Sequence, residues 1–380
     1  MSTVYRLNPD GTSTVMRKVR CADEDRDLQQ VLEKNLDLLP GDQIDPEDPR
    51  RWLLIKREML VQDPGSGQDR WSIDFVLLDQ SATPTFVECK RFADTRSRRE
   101  VVAQMLEYAA NGHHYWTKDS LRTLAAQSAE GRGLTLEEAV QRLGPDDDLG
   151  IEEFFERAEA NLRQGQIRLV FFLEEAPFEL KSIVDFLNRQ MERTEVLLVE
   201  ARQYELDGTT VVVPTLFGYT EEARQVKRTV IVTPGSGSRR KWNEAMFFEA
   251  AATGLGETAS GALRAVYDYA RSQGLVITWG TGAQRGSFNV KAPHLCPRSI
   301  FTLWSDGEMS LNFGWLNGSE TAEKFRDALK GALEARLGWN IPPDFSERYV
   351  KIPSSEWVPR VSVFIDLFRE LISRFGGSEA

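Results

Sequence analysis

Residues 71–112 read WSIDFVLLDQSATPTFVECKRFADTRSRREVVAQMLEYAANG, and the prediction of the fold starts from this segment. Two apolar runs, Trp71–Asp79 and Thr85–Arg91, are separated by the polar segment Gln80–Pro84, which predicts two antiparallel strands joined by a turn. Apolar residues then recur at helical spacing over Arg96–Trp116 and predict a long helix. The stretch therefore predicts a β-hairpin that leads directly into a helix.

The flanking sequence extends this unit into a larger sheet. Upstream, the apolar spacing predicts a helix over Asp23–Leu39 and a strand over Trp52–Val61. Downstream, it predicts a buried strand over Gln166–Leu173, a helix over Phe178–Thr194 and a strand over Glu195–Tyr204. A three-stranded meander followed by a β–α–β unit predicts an α/β fold, with a mixed sheet flanked by helices.

The length of 380 residues predicts more than one domain. Residues 223–240 are basic and contain Pro, Gly and Ser, a composition typical of a linker. The first predicted domain is therefore residues 1–222, with a core at about 23–205 and a helical insertion at 119–165. Residues 241–380 are predicted to form a C-terminal α+β domain, to which the sequence assigns no role.

Composition excludes several classes of protein. The net charge of −11 argues against a positive field over the whole molecule. No apolar run approaches the roughly 20 residues that span a bilayer, so no membrane partner is expected. The three cysteines, Cys21, Cys89 and Cys296, are far apart, which excludes a disulfide framework and a CxxC zinc site. This cysteine usage predicts a reducing, cytoplasmic location.

A charged pair ends the second strand of the hairpin. Glu88 and Lys90 lie two residues apart, so they share one face of the strand at a separation of about 7 Å. An E-x-K triplet alone means little, since about two are expected by chance at this composition. The second, Glu179–Lys181, falls on a predicted helix. The strand context distinguishes the first from the second.

Asp74 on the preceding strand is predicted to face this pair. A turn centred on Ser81 places Asp74 opposite Glu88, and a turn centred on Ala82 places it opposite Lys90. Two neighbouring carboxylates raise each other's pKa, and a divalent cation removes that conflict.

The donors in this region suit a hard cation. Oxygen ligands from Asp74, Glu88 and the backbone carbonyl of Cys89 fit Mg²⁺, for which Mn²⁺ can substitute. Lys90 beside them would orient a water nucleophile or offset charge at phosphorus. These residues predict hydrolysis of a phosphodiester.

Asp74, the strand pair Glu88 and Lys90, and Gln104 and Tyr108 on the following helix together resemble the PD-(D/E)xK nuclease superfamily. The Q-x-x-x-Y helix is typical of its RecB-like and NucS-like members. The resemblance covers the core of the first domain and implies a restriction-endonuclease-like fold and an Mg²⁺-dependent DNA endonuclease in repair or in defence against foreign DNA. It implies that all five residues are catalytic, with Gln104 and Tyr108 supporting the attacking water or the scissile strand.

The resemblance departs from the family at the first helix. The glutamate that family members carry there falls on Gln29, with Glu33 or Asp25 as substitutes, so one well-formed metal site is expected and Glu33 is a further candidate ligand. Four arginines that follow the motif are candidates for phosphate contacts. They are Arg91, Arg96, Arg98 and Arg99.

Two other functions remain open. A catalytically weak or inactive nucleic-acid-binding protein on a nuclease scaffold is favoured by Gln29, and an ordinary interaction protein with a fortuitous motif would bind neither metal nor DNA. The expected partner is nucleic acid, DNA by resemblance, and the family allows a homodimer. The C-terminal domain would then recognise DNA structure, another protein or a second copy.

Overall fold

The chain divides into two compact units, Met1–Leu143 with Leu149–Thr233, and Gly144–Asp148 with Pro234–Ala380. The predicted linker, residues 223–240, lies outside the part of the chain that the structure describes. The computed structural model describes residues 3–46, 48–62, 69–91, 97–144, 150–218, 242–280, 282 and 285–376, without the side chains of 61–62, 69–71, 97–100 and 112–115.

The first unit is built on a mixed sheet, as the sequence predicts. Its strand order is β3-β8-β7-β6-β5-β4, and β9 also pairs with β8. Strands β6, β7 and β8 run parallel, whereas β4, β5 and β6 form the antiparallel meander. The strands are β1 (Tyr5–Leu7), β2 (Ser13–Val15), β3 (Arg17–Val19), β4 (Leu53–Gln62), β5 (Asp69–Leu78), β6 (Pro84–Lys90), β7 (Arg168–Leu173), β8 (Glu195–Leu206) and β9 (Thr209–Phe217).

Helices cover both faces of this sheet. On one face, Phe86 of β6 packs in a cluster with Met105 and with residues of four further helices. On the other face, Val87 and Cys89 pack with Leu32. The helical segments are a π-helical turn (Asp25–Gln29), α1 (Gln30–Lys34), a 3₁₀ turn (Leu36–Leu38), α2 (Gly41–Ile44), α3 (Ser97–Tyr115), α4 (Lys118–Glu130), α5 (Leu136–Leu143), α6 (Ile151–Arg163) and α7 (Phe178–Gln190).

The first predicted helix is shorter than the sequence pattern suggests. The spacing predicts one helix over Asp23–Leu39, but regular helix ends at Lys34 and Asn35 leaves the helical conformation at φ −136° and ψ 68°. The side chain of Asn35 donates to the carbonyl of Val31, a local bond that competes with the helical pattern. The sequence pattern does not predict strand β9.

The second unit has its own antiparallel sheet and its own core. The strand order is β10-β11-β12-β13-β14, and Leu263, Phe288, Phe301 and Phe368 belong to its apolar cluster. None of the described helices in either unit combines the length and apolar character needed to cross a bilayer. The elements are α8 (Glu244–Gly254), α9 (Glu257–Ser272), β10 (Val276–Trp279), β11 (Ser287–Lys291), β12 (Ser299–Trp304), β13 (Met309–Leu311), a 3₁₀ turn (Phe313–Trp315), α10 (Glu320–Leu337), a 3₁₀ turn (Phe345–Glu347), β14 (Val350–Ile352), α11 (Ser354–Trp357), a 3₁₀ turn (Val358–Arg360) and α12 (Val361–Gly376).

A buried ion pair at the turn between β5 and β6 gives the first prediction. Asp79 is fully buried and lies 3.1 Å from the guanidinium of Arg168. Replacing Arg168 by methionine leaves that carboxylate without its nearest cation, which we expect to lower the free energy of unfolding by about 3–5 kcal/mol. Urea denaturation measures the loss.

The matched control is an exposed pair on α6. Arg163 is bound to Glu159 at 2.6 Å, but its side chain is 65% exposed. Arg163→Met should therefore cost less than about 1 kcal/mol. Equal small losses in both variants would show that the pair with Asp79 does not support the fold.

Candidate active site

The hydrogen-bond ladder between β5 and β6 ends where the predicted site begins. Paired residues run from Leu78 and Pro84 to Phe75 and Val87. Continuing that register by one residue sets Asp74 opposite Glu88, which is the arrangement expected for a turn centred on Ser81.

The side chain of Asp74 replaces the missing ladder contact. Its Oδ2 accepts a hydrogen bond of 2.7 Å from the backbone N–H of Cys89. On the other side of β6, the carbonyl of Lys90 accepts a hydrogen bond of 3.4 Å from the backbone N–H of Glu174, in the segment after β7. Since successive residues of a strand direct their backbone groups to opposite neighbours, the carbonyl of Cys89 faces the β5 side, toward Asp74.

Glu88 is buried with part of its hydrogen-bonding capacity unused. Its side chain is 2% exposed, and Oε1 lies 3.1 Å from Nζ of Lys90. The second oxygen, Oε2, is buried and has no hydrogen-bond partner among the residues described. A buried carboxylate oxygen in this state carries a desolvation cost that a bound cation would offset.

Glu200 on β8 shows what a purely structural buried glutamate looks like in this fold. It is 1% exposed, and Oε1 accepts from Lys181 at 2.7 Å and from the N–H of Ala176 at 3.1 Å. Oε2 pairs with Arg202 at 2.6 Å. Both oxygens of Glu200 are thus satisfied by protein groups, in contrast to those of Glu88.

The charges of the site shift one another's ionisation. Burial raises the pKa of Asp74 above its ordinary value, against the opposing hydrogen bond from Cys89. Burial and the nearby charge of Asp74 both raise the pKa of Glu88. Burial alone would lower the pKa of Lys90, but the charges of Glu88, Asp74 and Glu24 outweigh it and raise that pKa. The lysine is therefore a protonated ammonium at neutral pH.

Glu24 is a residue of the site that sequence reasoning missed. Its Oε1 accepts from Nζ of Lys90 at 3.0 Å, and its Oε2 accepts from the backbone N–H of Arg91 at 3.0 Å. Glu24 immediately precedes the first helical turn, Asp25–Gln29. From the sequence, the acid of this helix is expected at Asp25 or Glu33 and not at Glu24. An acidic residue directly before that helix was the available signal.

Gln104 and Tyr108 lie together, as their spacing on α3 predicts. The amide of Gln104 donates to the hydroxyl of Tyr108, which donates to the carbonyl of Ser72 at 2.6 Å. Tyr108 is fully buried, and burial followed by the charge of Glu88 raises its pKa. The pair therefore holds α3 against β5 two residues before Asp74.

The other acids of the first helix have a different partner. Glu33, the further candidate ligand, accepts from Arg57 of β4 at 2.9 Å. The same guanidinium binds the carboxylate of Asp25 and, at 3.1 Å, the amide of Gln29. The structure thus places these three side chains in a cluster around Arg57, and it brings Glu24 to Lys90.

Of the four candidate phosphate-binding arginines, the structure describes the side chain of one. Arg91 is exposed, and its guanidinium donates to the carbonyl of Ala22. Arg96 lies outside the described residues, and Arg98 and Arg99 lie on α3 with side chains outside the description.

The donor set fits a single hard cation held by few protein ligands. Within the described ranges, no group of three or more His, Cys, Asp or Glu side chains is arranged to hold a metal ion. The candidate ligands are therefore two carboxylates, Asp74 and Glu88, and the carbonyl of Cys89, and they include the unpartnered Oε2 of Glu88. Mg²⁺ is commonly bound by one or two carboxylates, with water completing the octahedron.

Comparison with known proteins gives no assignment. No family model, no curated protein and no solved structure matches this chain. The function therefore has to be argued from the site itself.

The raised pKa of Glu88 gives a prediction for stability. A carboxyl whose pKa is higher in the folded than in the unfolded state binds more protons when folded, so stability falls as pH rises from the ordinary carboxyl range, about 4, through the raised pKa. Glu88→Gln removes this loss. In buffer that contains a chelator, we expect the melting temperature of Glu88→Gln minus that of the wild type to increase from pH 5 to pH 9. A constant difference across that range would contradict the assignment.

Proposed function

We propose that the chain is a Mg²⁺-dependent nuclease of the PD-(D/E)xK type that hydrolyses phosphodiester bonds, with DNA as substrate. The observation that carries the proposal is the meeting of Asp74 and Glu88 at the open end of the β5–β6 ladder, with Oε2 of Glu88 buried and unpartnered among the described residues. Lys90 stands 3.1 Å from the same glutamate.

Asp74, Glu88 and the carbonyl of Cys89 are the groups that would hold Mg²⁺. When bound, Mg²⁺ would polarise the phosphate and lower the pKa of water. In the reaction, the oxygen of water forms a bond to phosphorus and its proton passes to solvent water, while the bond from phosphorus to the leaving sugar oxygen breaks and that oxygen takes up a proton from solvent water.

Lys90 supplies positive charge and does not act as a general base. Because its pKa is raised, it is an ammonium that donates hydrogen bonds to the water or to the phosphate oxygens on which charge accumulates. Its carboxylate neighbours, Glu24 and Glu88, fix the position of Nζ. Such a preorganised charge acts more strongly in the transition state than in the ground state.

Gln104 and Tyr108 would act through the sheet. The hydroxyl of Tyr108 is used on the carbonyl of Ser72, so the tyrosine supports the strand that carries Asp74. Gln104 is half-buried beside it and is the member of the pair that could reach a substrate.

The direct test is incubation of the purified chain with supercoiled, linear double-stranded and single-stranded DNA, in Mg²⁺, Mn²⁺ or a chelator. We expect metal-dependent cutting of at least one form. Nicking or linearisation of supercoiled DNA identifies an endonuclease, and loss of linear DNA alone identifies an exonuclease. Absence of cutting in all three forms would contradict the proposal.

One observation favours the second candidate, a weak or inactive nucleic-acid-binding protein on the same scaffold. Glu24, the additional acid at the site, is engaged by Lys90 and Arg91, so it is not available as a third metal ligand in this arrangement. A salt-dependent DNA affinity without cutting, unchanged in Asp74→Ala, would support this alternative.

A further inference from the structure

Glu24 joins two parts of the chain that lie far apart in sequence. Its two carboxylate oxygens are divided between the ammonium of Lys90 and the backbone N–H of Arg91, each at 3.0 Å. Lys90 in turn lies between Glu24 and Glu88, at 3.0 and 3.1 Å. One carboxylate thus fixes both the last residue of β6 and the residue that follows it.

The side chain of Glu24 has no competing local role. It occupies the position before the first helical turn but makes no capping hydrogen bond to that helix. The N–H of Arg26 in that turn donates instead to the side chain of Asp23, at 2.8 Å. The side chain of Glu24 therefore bonds to Lys90 and Arg91 and not to its own helix.

We propose that Glu24 is a positioning residue that holds the ammonium of Lys90 in place for the reaction; this rests on the proposed nuclease function. Glu88 supplies one carboxylate contact to the ammonium, through Oε1 at 3.1 Å, and Glu24 supplies the other at 3.0 Å. A lysine side chain has several rotatable bonds, and a second carboxylate restricts them before substrate arrives. Glu24 acts through Lys90 and does not bind the metal.

Glu24→Gln is the test variant, because it keeps the size of the side chain but offers one oxygen acceptor and an amide donor instead of two acceptors. We expect kcat for DNA cleavage to fall about 10–100-fold, by analogy with the loss on removing the hydrogen-bond partners that orient metal ligands. KM for DNA and the calorimetric affinity for Mg²⁺ should change less than about twofold. In a Lys90→Ala background, Glu24→Gln should have no further effect.

Glu175→Gln is the matched control, since Glu175 pairs with Lys18 at 2.6 Å and has a similar exposure, 19% against 29% for Glu24. It should leave kcat unchanged. A readout free of metal and DNA is the ¹⁵N signal of the Lys90 ammonium, which should exchange slowly in the wild type and in Glu175→Gln but rapidly in Glu24→Gln.

The outcomes separate this inference from the nuclease function itself. Cutting that is unaffected by Glu24→Gln overturns the positioning role and leaves the nuclease in place. A parallel loss of Mg²⁺ affinity would make Glu24 a ligand, and an additive effect in Lys90→Ala would make it act independently; either overturns the proposal. A wild type that cuts no DNA removes the proposed function and this inference with it.

Discussion

Lys90→Ala is expected to lower the rate of Mg²⁺-dependent DNA cleavage by at least about 100-fold, the effect of removing one preorganised charge from a transition state. The ammonium lies between two carboxylates and has a raised pKa, so its charge is present at neutral pH without a proton having to be gained. Alanine removes that charge, whereas binding of DNA through other groups should persist. Single-turnover cleavage with saturating Mg²⁺ measures the change.

The chain contains a matched control for this variant. Lys181 ends the other E-x-K triplet, pairs with the buried Glu200 at 2.7 Å and is 27% exposed, against 23% for Lys90. Lys181→Ala removes a lysine of similar burial that also pairs with a buried glutamate, but from helix α7 and not from the end of β6. It should cleave DNA at the rate of the wild type; an equal loss in the two variants would point to a general effect on the fold.

Glu88→Gln is expected to abolish the stabilisation of the protein by Mg²⁺. A ligand bound only to the folded state adds about 2.7 kcal/mol to the free energy of unfolding at 100 times its dissociation constant. In the wild type, Oε2 of Glu88 is a buried carboxylate oxygen left without a protein partner among the described residues. An amide at this position supplies one neutral oxygen in place of a charged pair, so the Mg²⁺-dependent rise in melting temperature should be lost.

Two comparisons make this result specific. Asp74→Asn should also lose the response to Mg²⁺, because it removes the second carboxylate of the site. Glu200→Gln should keep the response, since the oxygens of Glu200 already have protein partners and the residue is as buried as Glu88. A Mg²⁺ response that survives in both Glu88→Gln and Asp74→Asn would place the cation elsewhere.

The central elements of the first unit were predictable because their patterns are strong and local. Strand β6 is predicted within one residue, and α3 within one residue at each end, since the period of the apolar residues changes from strand-like to helical between them. The sequence alone allows two registers of β5 against β6. Asp79 decides between them, because its Oδ1 accepts from the N–H groups of Ser81 and Thr83 at 2.9 Å and fixes the turn.

The parts that could not be predicted depend on contacts between distant segments. Glu24 reaches Lys90 only because the chain before α1 crosses the end of β6, which no local pattern encodes. Arg57 of β4 donates hydrogen bonds to Glu33, Asp25 and Gln29. The spacing of these residues on the helix cannot reveal that partner. In the exposed strand β9, buried and exposed positions alternate only weakly, and the strand contains Pro214. Both features argue against a strand in the sequence, and only the pairing with β8 reveals it.

We propose that Asp74 is part of a metal-dependent site that cuts DNA. The most direct test compares wild type and Asp74→Ala, purified in parallel, in cleavage of the DNA form that the wild type cuts best, with Mg²⁺ and with a chelator. We expect the wild type to cut DNA in Mg²⁺ and not in the chelator, and Asp74→Ala to cut at a rate at least about 100-fold lower. Equal cutting by the two proteins would contradict it.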